Sequence, residues 1–279
     1  ILVIYAILTE QIIAKLFLAA FIPGILAALG YIITISIYVR RNPGSAGTRE
    51  RQPYSERWKT MLAIWPVLIV FLSVVGGIYL GVFTPTEGAA VGAFGTGLIA
   101  WLNGGLTWKT AMDSFLSTAN STGMIFFIVL GAGFYNGFLA LSQVPQSLAT
   151  WVGETGLSPW VILSLILVLY LIFGCVMDSL SMILLTVPIF WPIIQTLDFG
   201  LTVEETAIWF GILVLIVVEV GLITPPVGMN LFVINSMDRL TPMVETYRAV
   251  MYFVASDIIR TIILVLFPGI TLFLMRVLN

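Results

Sequence analysis

GCVMDSLSMILLTVPIFWP at 174–192 and GLITPPVGMN at 221–230 are the two stretches on which the fold turns. Each lies inside a long apolar run, yet each carries residues that a smooth membrane helix avoids. The first holds a carboxylate, two serines, a threonine and two prolines, and is long enough for two half-helices. The second holds a proline pair; neither nitrogen can donate, and the residue before each proline is driven out of the α region. A second half-helix is expected after that break, from about Val227 to Ser236.

Outward from these stretches the chain is apolar throughout. Of 279 residues, 59% are hydrophobic and 9% charged, against roughly 25% charged in a soluble domain, and the mean hydropathy is +1.08. The composition excludes a water-soluble globule. It predicts an all-α polytopic membrane protein with roughly eight or nine crossing or re-entrant segments. There is no histidine, which removes His-ligated zinc or haem and Ser-His nucleophiles. The single Cys175 sits in an apolar run and reads as packing. Half of the twelve basic residues (Arg40, Arg41, Arg49, Arg51, Arg57 and Lys59) fall in one loop at 40–60. The positive-inside rule makes that loop cytoplasmic, with docking to anionic lipid as the alternative use. The loop lacks the interleaved aromatics of a nucleic-acid surface, so no nucleic-acid partner is expected.

Leu16 to Val39 reads as a first span interrupted at Pro23-Gly24, and Met61 to Leu80 as a second. A break follows at Gly81, Thr84-Pro85 and Gly88; residues 106–123 read as an interfacial arm; apolar segments lie at 124–141 and 159–175, and a last span at 249–278. Seven tryptophans (Trp58, Trp101, Trp108, Trp151, Trp160, Trp191 and Trp209) fall near run ends and suggest an aromatic belt. Arg260 is the guanidinium placed well inside a span, where snorkelling or a structural ion pair would account for it. The chain opens with Ile1 inside an apolar stretch and no basic region before it, and reads as an internal stretch of a longer protein.

Three carboxylates fall at membrane depth: Glu87, Asp178 and Glu219. Such groups cost a few kcal/mol each on insertion scales and point to an ion or substrate path; helix capping is the alternative, above all for Glu87 after Thr84-Pro85-Thr86. At the proline pair, the carbonyls before Pro225 and the Thr224 hydroxyl offer hard oxygens to a cation, while the amides opening the next half-helix favour an anion. Asp178 and Ser181 are three apart and share a helical face, with Ser179 at the expected hairpin tip; serines bonding back to helix carbonyls is the competing reading.

GVFTPTEGAAVGA at 81–93, FGCVMDSLSMILLTVPIFWPII at 173–194, VEVGLITPPVGMNLFV at 218–233 and KLFLAAFIPG at 15–24 together resemble the carboxyl-terminal part of the large membrane subunit of tripartite ATP-independent periplasmic (TRAP) transporters. The resemblance implies a multi-pass protein of the bacterial inner membrane. It would be half of an inverted-repeat, elevator-type importer of C4-dicarboxylates or sugar acids, driven by sodium ions and needing no other cofactor. A small four-helix membrane subunit and a periplasmic substrate-binding protein are the implied partners. It divides the chain into the end of a preceding repeat with a connecting helix (1–39), the basic loop (40–60) and the carboxyl-terminal repeat (61–279), whose hairpin spans 173–194 and whose discontinuous helix spans 207–236. Carried onto this sequence, it puts sodium at Gly174, Asp178, Gly221, Thr224 and Pro225. It puts substrate at Ser179, Ser181, Pro226, Val227, Gly228 and Asn230, with Thr84, Pro85, Glu87 and Glu219 in structural or gating roles. An upstream repeat with the matching hairpin and break is implied to precede Ile1, so these residues alone are expected not to transport. The rival readings are a sodium/dicarboxylate symporter without a binding protein, an intramembrane aspartyl protease using Asp178 and Glu219, and a plain membrane anchor.

Overall fold

The computed structural model describes residues 1–45, 53–237 and 242–278. Among them the regular structure is helical: α1 (Leu2–Thr9), α2 (Ile13–Arg41), α3 (Tyr54–Ala63), α4 (Trp65–Tyr79), α5 (Pro85–Leu102), α6 (Trp108–Ser142), α7 (Val144–Glu154), α8 (Pro159–Gly174), α9 (Ser179–Gln195), α10 (Val203–Gly221), α11 (Met229–Met237), α12 (Met243–Leu266) and α13 (Pro268–Leu278). Arg49 and Arg51 of the basic loop lie outside the described residues.

Three helices, α2, α6 and α12, are long and apolar enough to cross a bilayer, and the pair α3–α4, bent by 46°, makes a fourth when taken as one span. The expected eight or nine segments therefore include many short pieces. Turn residues cut the apolar runs, leaving α8, α9 and α13 at 10–17 residues, below the roughly 20 that a crossing needs. Several local expectations change for related reasons. Pro23 does not interrupt α2, which runs on for 29 residues; a membrane helix tolerates a proline when neighbours re-satisfy the freed carbonyl. The expected span at 61–80 is instead broken before Trp65, because Pro66 cannot continue a helix from the preceding turn. The expected arm at 106–123 and the apolar segment after it form one 35-residue helix, α6. No proline divides them, and polarity alone does not stop a helix. Likewise α9 passes through Pro188 and Pro192 as one helix rather than two halves.

Two compact units are present, one formed by 1–45 with 128–279 and the other by 46–127. The larger unit thus contains residues 1–39 together with the carboxyl-terminal helices. In the smaller unit α4 packs on α5, with Gly92 and Gly95 of α5 set against Val74 and Val70. In the larger unit α10 is the axis, with fourteen buried residues and α1, α2, α8, α9, α12 and α13 around it. Tyr5 of α1 donates its hydroxyl to the Ala207 carbonyl at 2.7 Å, and its ring lies where a Cβ on Gly211 would stand. Trp209 is fully buried and donates its indole N–H to the Leu264 carbonyl at 2.9 Å. Trp191 is buried too, so these two leave the aromatic belt for the core, while Trp58, Trp101, Trp108, Trp151 and Trp160 remain exposed.

Candidate functional site

The two stretches that open the sequence analysis meet. Between α8 and α9 the chain leaves the helix at Cys175–Asp178, and between α10 and α11 at Leu222–Gly228. The last residues of α8 and α10, Gly174 and Gly221, touch backbone to backbone. A Cβ on Gly174 would lie 3.0 Å from the Gly221 Cα, and a Cβ on Gly221 would lie 2.6 Å from the Gly174 Cα. Small residues that let backbones approach closely are what joins helices in lipid, where apolar side chains gain little by leaving it. The Cys175 thiol fills the space between the breaks, 3.2 Å from the Leu171 carbonyl and 3.6 Å from that of Pro225. The packing expected for it is what it does.

The turn lies at 175–178, near the start of the 173–194 stretch, with α8 before it and α9 after it. Ser179 is not at its tip; it is the buried first residue of α9 and donates its hydroxyl to Glu219 at 3.0 Å. Asp178 caps α9, accepting the Ser181 amide at 2.9 Å, so the capping alternative holds for it. One carboxylate oxygen and its charge remain at an exposed position. The carbonyls of Gly174, Cys175, Val176 and Met177 accept no backbone hydrogen bond from a described residue.

On the facing break the Thr224 hydroxyl donates back to the Val220 carbonyl at 2.6 Å, leaving its lone pairs available. The Gly221 carbonyl takes the Thr224 amide, and the Leu222 carbonyl takes that of Asn230 at 3.1 Å. The Thr224 carbonyl accepts nothing among the described backbone groups, and the Pro225–Pro226 bond is cis. Gly228 has φ +61°, a conformation that favours glycine. The amides of Val227, Gly228 and Met229 donate to no described backbone group and open α11. Where backbone leaves the helix at membrane depth, it is tolerated only buried in protein or lining a cavity. This pair of breaks offers bare carbonyls and a hydroxyl to a cation, and bare amides at a helix start to an anion.

Sequence reasoning missed Tyr247 of α12, whose hydroxyl reaches the Val227 carbonyl at 2.7 Å and that of Pro226 at 3.3 Å. It props the break from outside, and no sequence pattern announces it. Asp257 was missed as well. It is 2% exposed, is paired to Arg260 at 2.9 Å and accepts the Tyr31 hydroxyl at 2.8 Å. The structural ion pair considered for Arg260 is thus present, and the i,i+3 spacing of the two charges could have shown it.

Thr84, Pro85 and Glu87 lie in the other unit. Thr84 caps α5 and receives the Glu87 amide, while Glu87 reaches back to the Thr84 amide at 2.7 Å. That reciprocal closure is the capping alternative stated for Glu87. Among the described residues, no group of three or more Cys, Asp or Glu is arranged to hold a metal ion.

The chain is 35% identical over 277 residues to the C4-dicarboxylate TRAP transporter large permease protein DctM of Pseudomonas aeruginosa, 98% of this chain and 62% of that protein. It is 29% identical to the sialic acid TRAP transporter large permease protein SiaM of Vibrio cholerae, and 31% to the ectoine/5-hydroxyectoine permease UehC of Ruegeria pomeroyi, each over 98% of this chain and 62% of the relative. The chain thus spans about 62% of the length of these relatives. With its apolar helices, this makes it a multi-pass protein of the bacterial inner membrane. Residues 1–270 match the description "Tripartite ATP-independent periplasmic transporter, DctM component", and the chain belongs to that family.

Proposed function

We propose that this chain forms one repeat of a sodium-coupled importer of small organic acids, with the paired breaks at 174–181 and 221–230 as its share of the binding site. One observation carries the reading: two interrupted helices meet through Gly174 and Gly221, and several polar backbone groups at their breaks have no partner among the described backbone groups. Sodium would take hard oxygens, for which the Thr224 hydroxyl, the Thr224 and Gly174 carbonyls and Asp178 are suited. The substrate carboxylate would take the amides of Val227 to Met229 at the start of α11, beside Ser181 and Asn230. The dicarboxylate, sialic acid and ectoine named for the relatives all carry a carboxylate, which suits such an amide cluster. A small four-helix subunit, a periplasmic binding protein and an elevator movement complete the proposal, the family's own description being tripartite.

Charge arithmetic limits the coupling. One elementary charge crossing 100 mV is worth about 2.3 kcal/mol. Two sodium ions with a dianion carry no net charge, so voltage-driven uptake of a dicarboxylate needs a third cation. The test is uptake into proteoliposomes holding the full-length permease with its small subunit, across a panel of organic acids. Sodium-dependent uptake that also requires a soluble binding protein is expected; uptake indifferent to sodium sinks the proposal. Sodium-dependent uptake without a binding protein would favour the simpler symporter.

A further inference from the structure

A second feature of the larger unit lies apart from the paired breaks. Between α2 and α12 runs an open groove of about 590 Å³, reaching from Leu26 to Arg41 along α2 and from Tyr252 to Ile263 along α12. The helices run antiparallel: Tyr38 meets Tyr252 edge-on, Tyr31 meets Phe253, and Tyr31 bonds to Asp257. Its walls are apolar over most of their length, with Leu29, Ile33 and Ile259 exposed. Deep in the groove the Arg260 charge is already neutralised by Asp257. At the mouth the balance differs. Arg40 and Arg41 end α2, both are exposed, and neither forms an ion pair with a described residue.

We infer that this groove holds one anionic phospholipid of the cytoplasmic leaflet, its phosphate at Arg41 and one acyl chain laid between α2 and α12. Length supports this occupant. Leu26 to Arg41 is sixteen residues, roughly 22 Å of helix from first to last Cα, and one leaflet with its headgroups is about 20–22 Å thick. Width supports it too. A partner helix of that length and about 10–12 Å in diameter would fill roughly 2,000 Å³, more than the groove holds, whereas an extended hydrocarbon chain is slender enough. Charge selects the headgroup: two arginines at the basic-loop end of α2, without an ion pair to any described residue, favour a net negative lipid over a zwitterionic one. The inference does not depend on the sodium-coupled reading, because no residue of the paired breaks lines the groove.

The full-length permease, washed in detergent, incubated with equimolar phosphatidylglycerol and phosphatidylcholine and re-isolated, should retain phosphatidylglycerol selectively when its lipid is weighed by mass spectrometry. Arg41→Gln should cut that retention about fivefold, while Arg41→Lys, which keeps the charge on an exposed helix end, should preserve it. Ala255→Trp, which fills the groove from an exposed lining position, should abolish it. Equal retention of both lipids overturns the inference. So does selectivity that survives Arg41→Gln or Ala255→Trp, since the lipid then sits elsewhere. Cross-linking of an Ala255→Cys variant to another polypeptide in native membranes also overturns it, in favour of a protein occupant.

Discussion

FTPTEG at 83–88 and ITPPVG at 223–228 begin alike, with a threonine and a proline after an apolar helix, and end as opposites. At the first, Thr84 and Glu87 close on each other, each accepting the other's backbone amide at the start of α5. At the second, proline replaces the residue after Pro225 and no acid stands at the third position, so no capping box can form. The Thr224 hydroxyl turns back into α10 instead, and the amides ahead of α11 stay open. One helix start is sealed and the other receptive, and the difference lies in two side chains. A broken helix is thus not in itself a sign of a binding site; what matters is whether its own side chains answer the break.

The sharpest way to break this contrast is at the crossing that brings the second break against its neighbour. Gly221→Ala would set a Cβ 2.6 Å from the Gly174 Cα, and overpacking of this kind costs about 1–3 kcal/mol. We expect uptake to fall by more than tenfold and thermal stability in detergent to fall with it. Next in size are Thr224→Ala and Asp178→Asn, which should raise the sodium concentration for half-maximal uptake about tenfold with membrane abundance unchanged. Asparagine caps a helix about as well as aspartate, so Asp178→Asn removes charge without unsealing α9. Unaltered sodium dependence in both variants would take these residues out of the site. Tyr247→Phe deletes a prop worth about 1 kcal/mol; a shift of about fivefold in half-maximal sodium is expected, and a loss of abundance alone would make the tyrosine merely structural. Smallest in its effect on transport is Thr84→Ala, which should cost about 1 kcal/mol of stability and leave sodium activation untouched. A shift in sodium activation there would erase the distinction between the two starts.

Much of this was legible in the sequence because proline and capping chemistry act locally. A nitrogen without a hydrogen forces the stop at Pro225-Pro226, and Thr-x-x-Glu at 84–87 spells out its own closure. What escaped was long-range. Nothing in the 46 positions between Gly174 and Gly221 says that these two glycines touch, nor that Tyr247 folds back on Val227. Trp209 looked like a belt residue because it follows a helix start, yet α10 is the axis of its unit and buries nearly everything on it. Asp257 escaped because no helix break marks it: it sits within unbroken α12 with its counter-charge three residues on.

Where Gly174 lies against Gly221 there is no rotamer to turn and no compressible methylene to absorb a displacement. The ends of α8 and α10 are therefore geared together like meshed teeth. A displacement of one end is thus carried to the other as one piece, and any bending between the two breaks has to come from elsewhere in the chain.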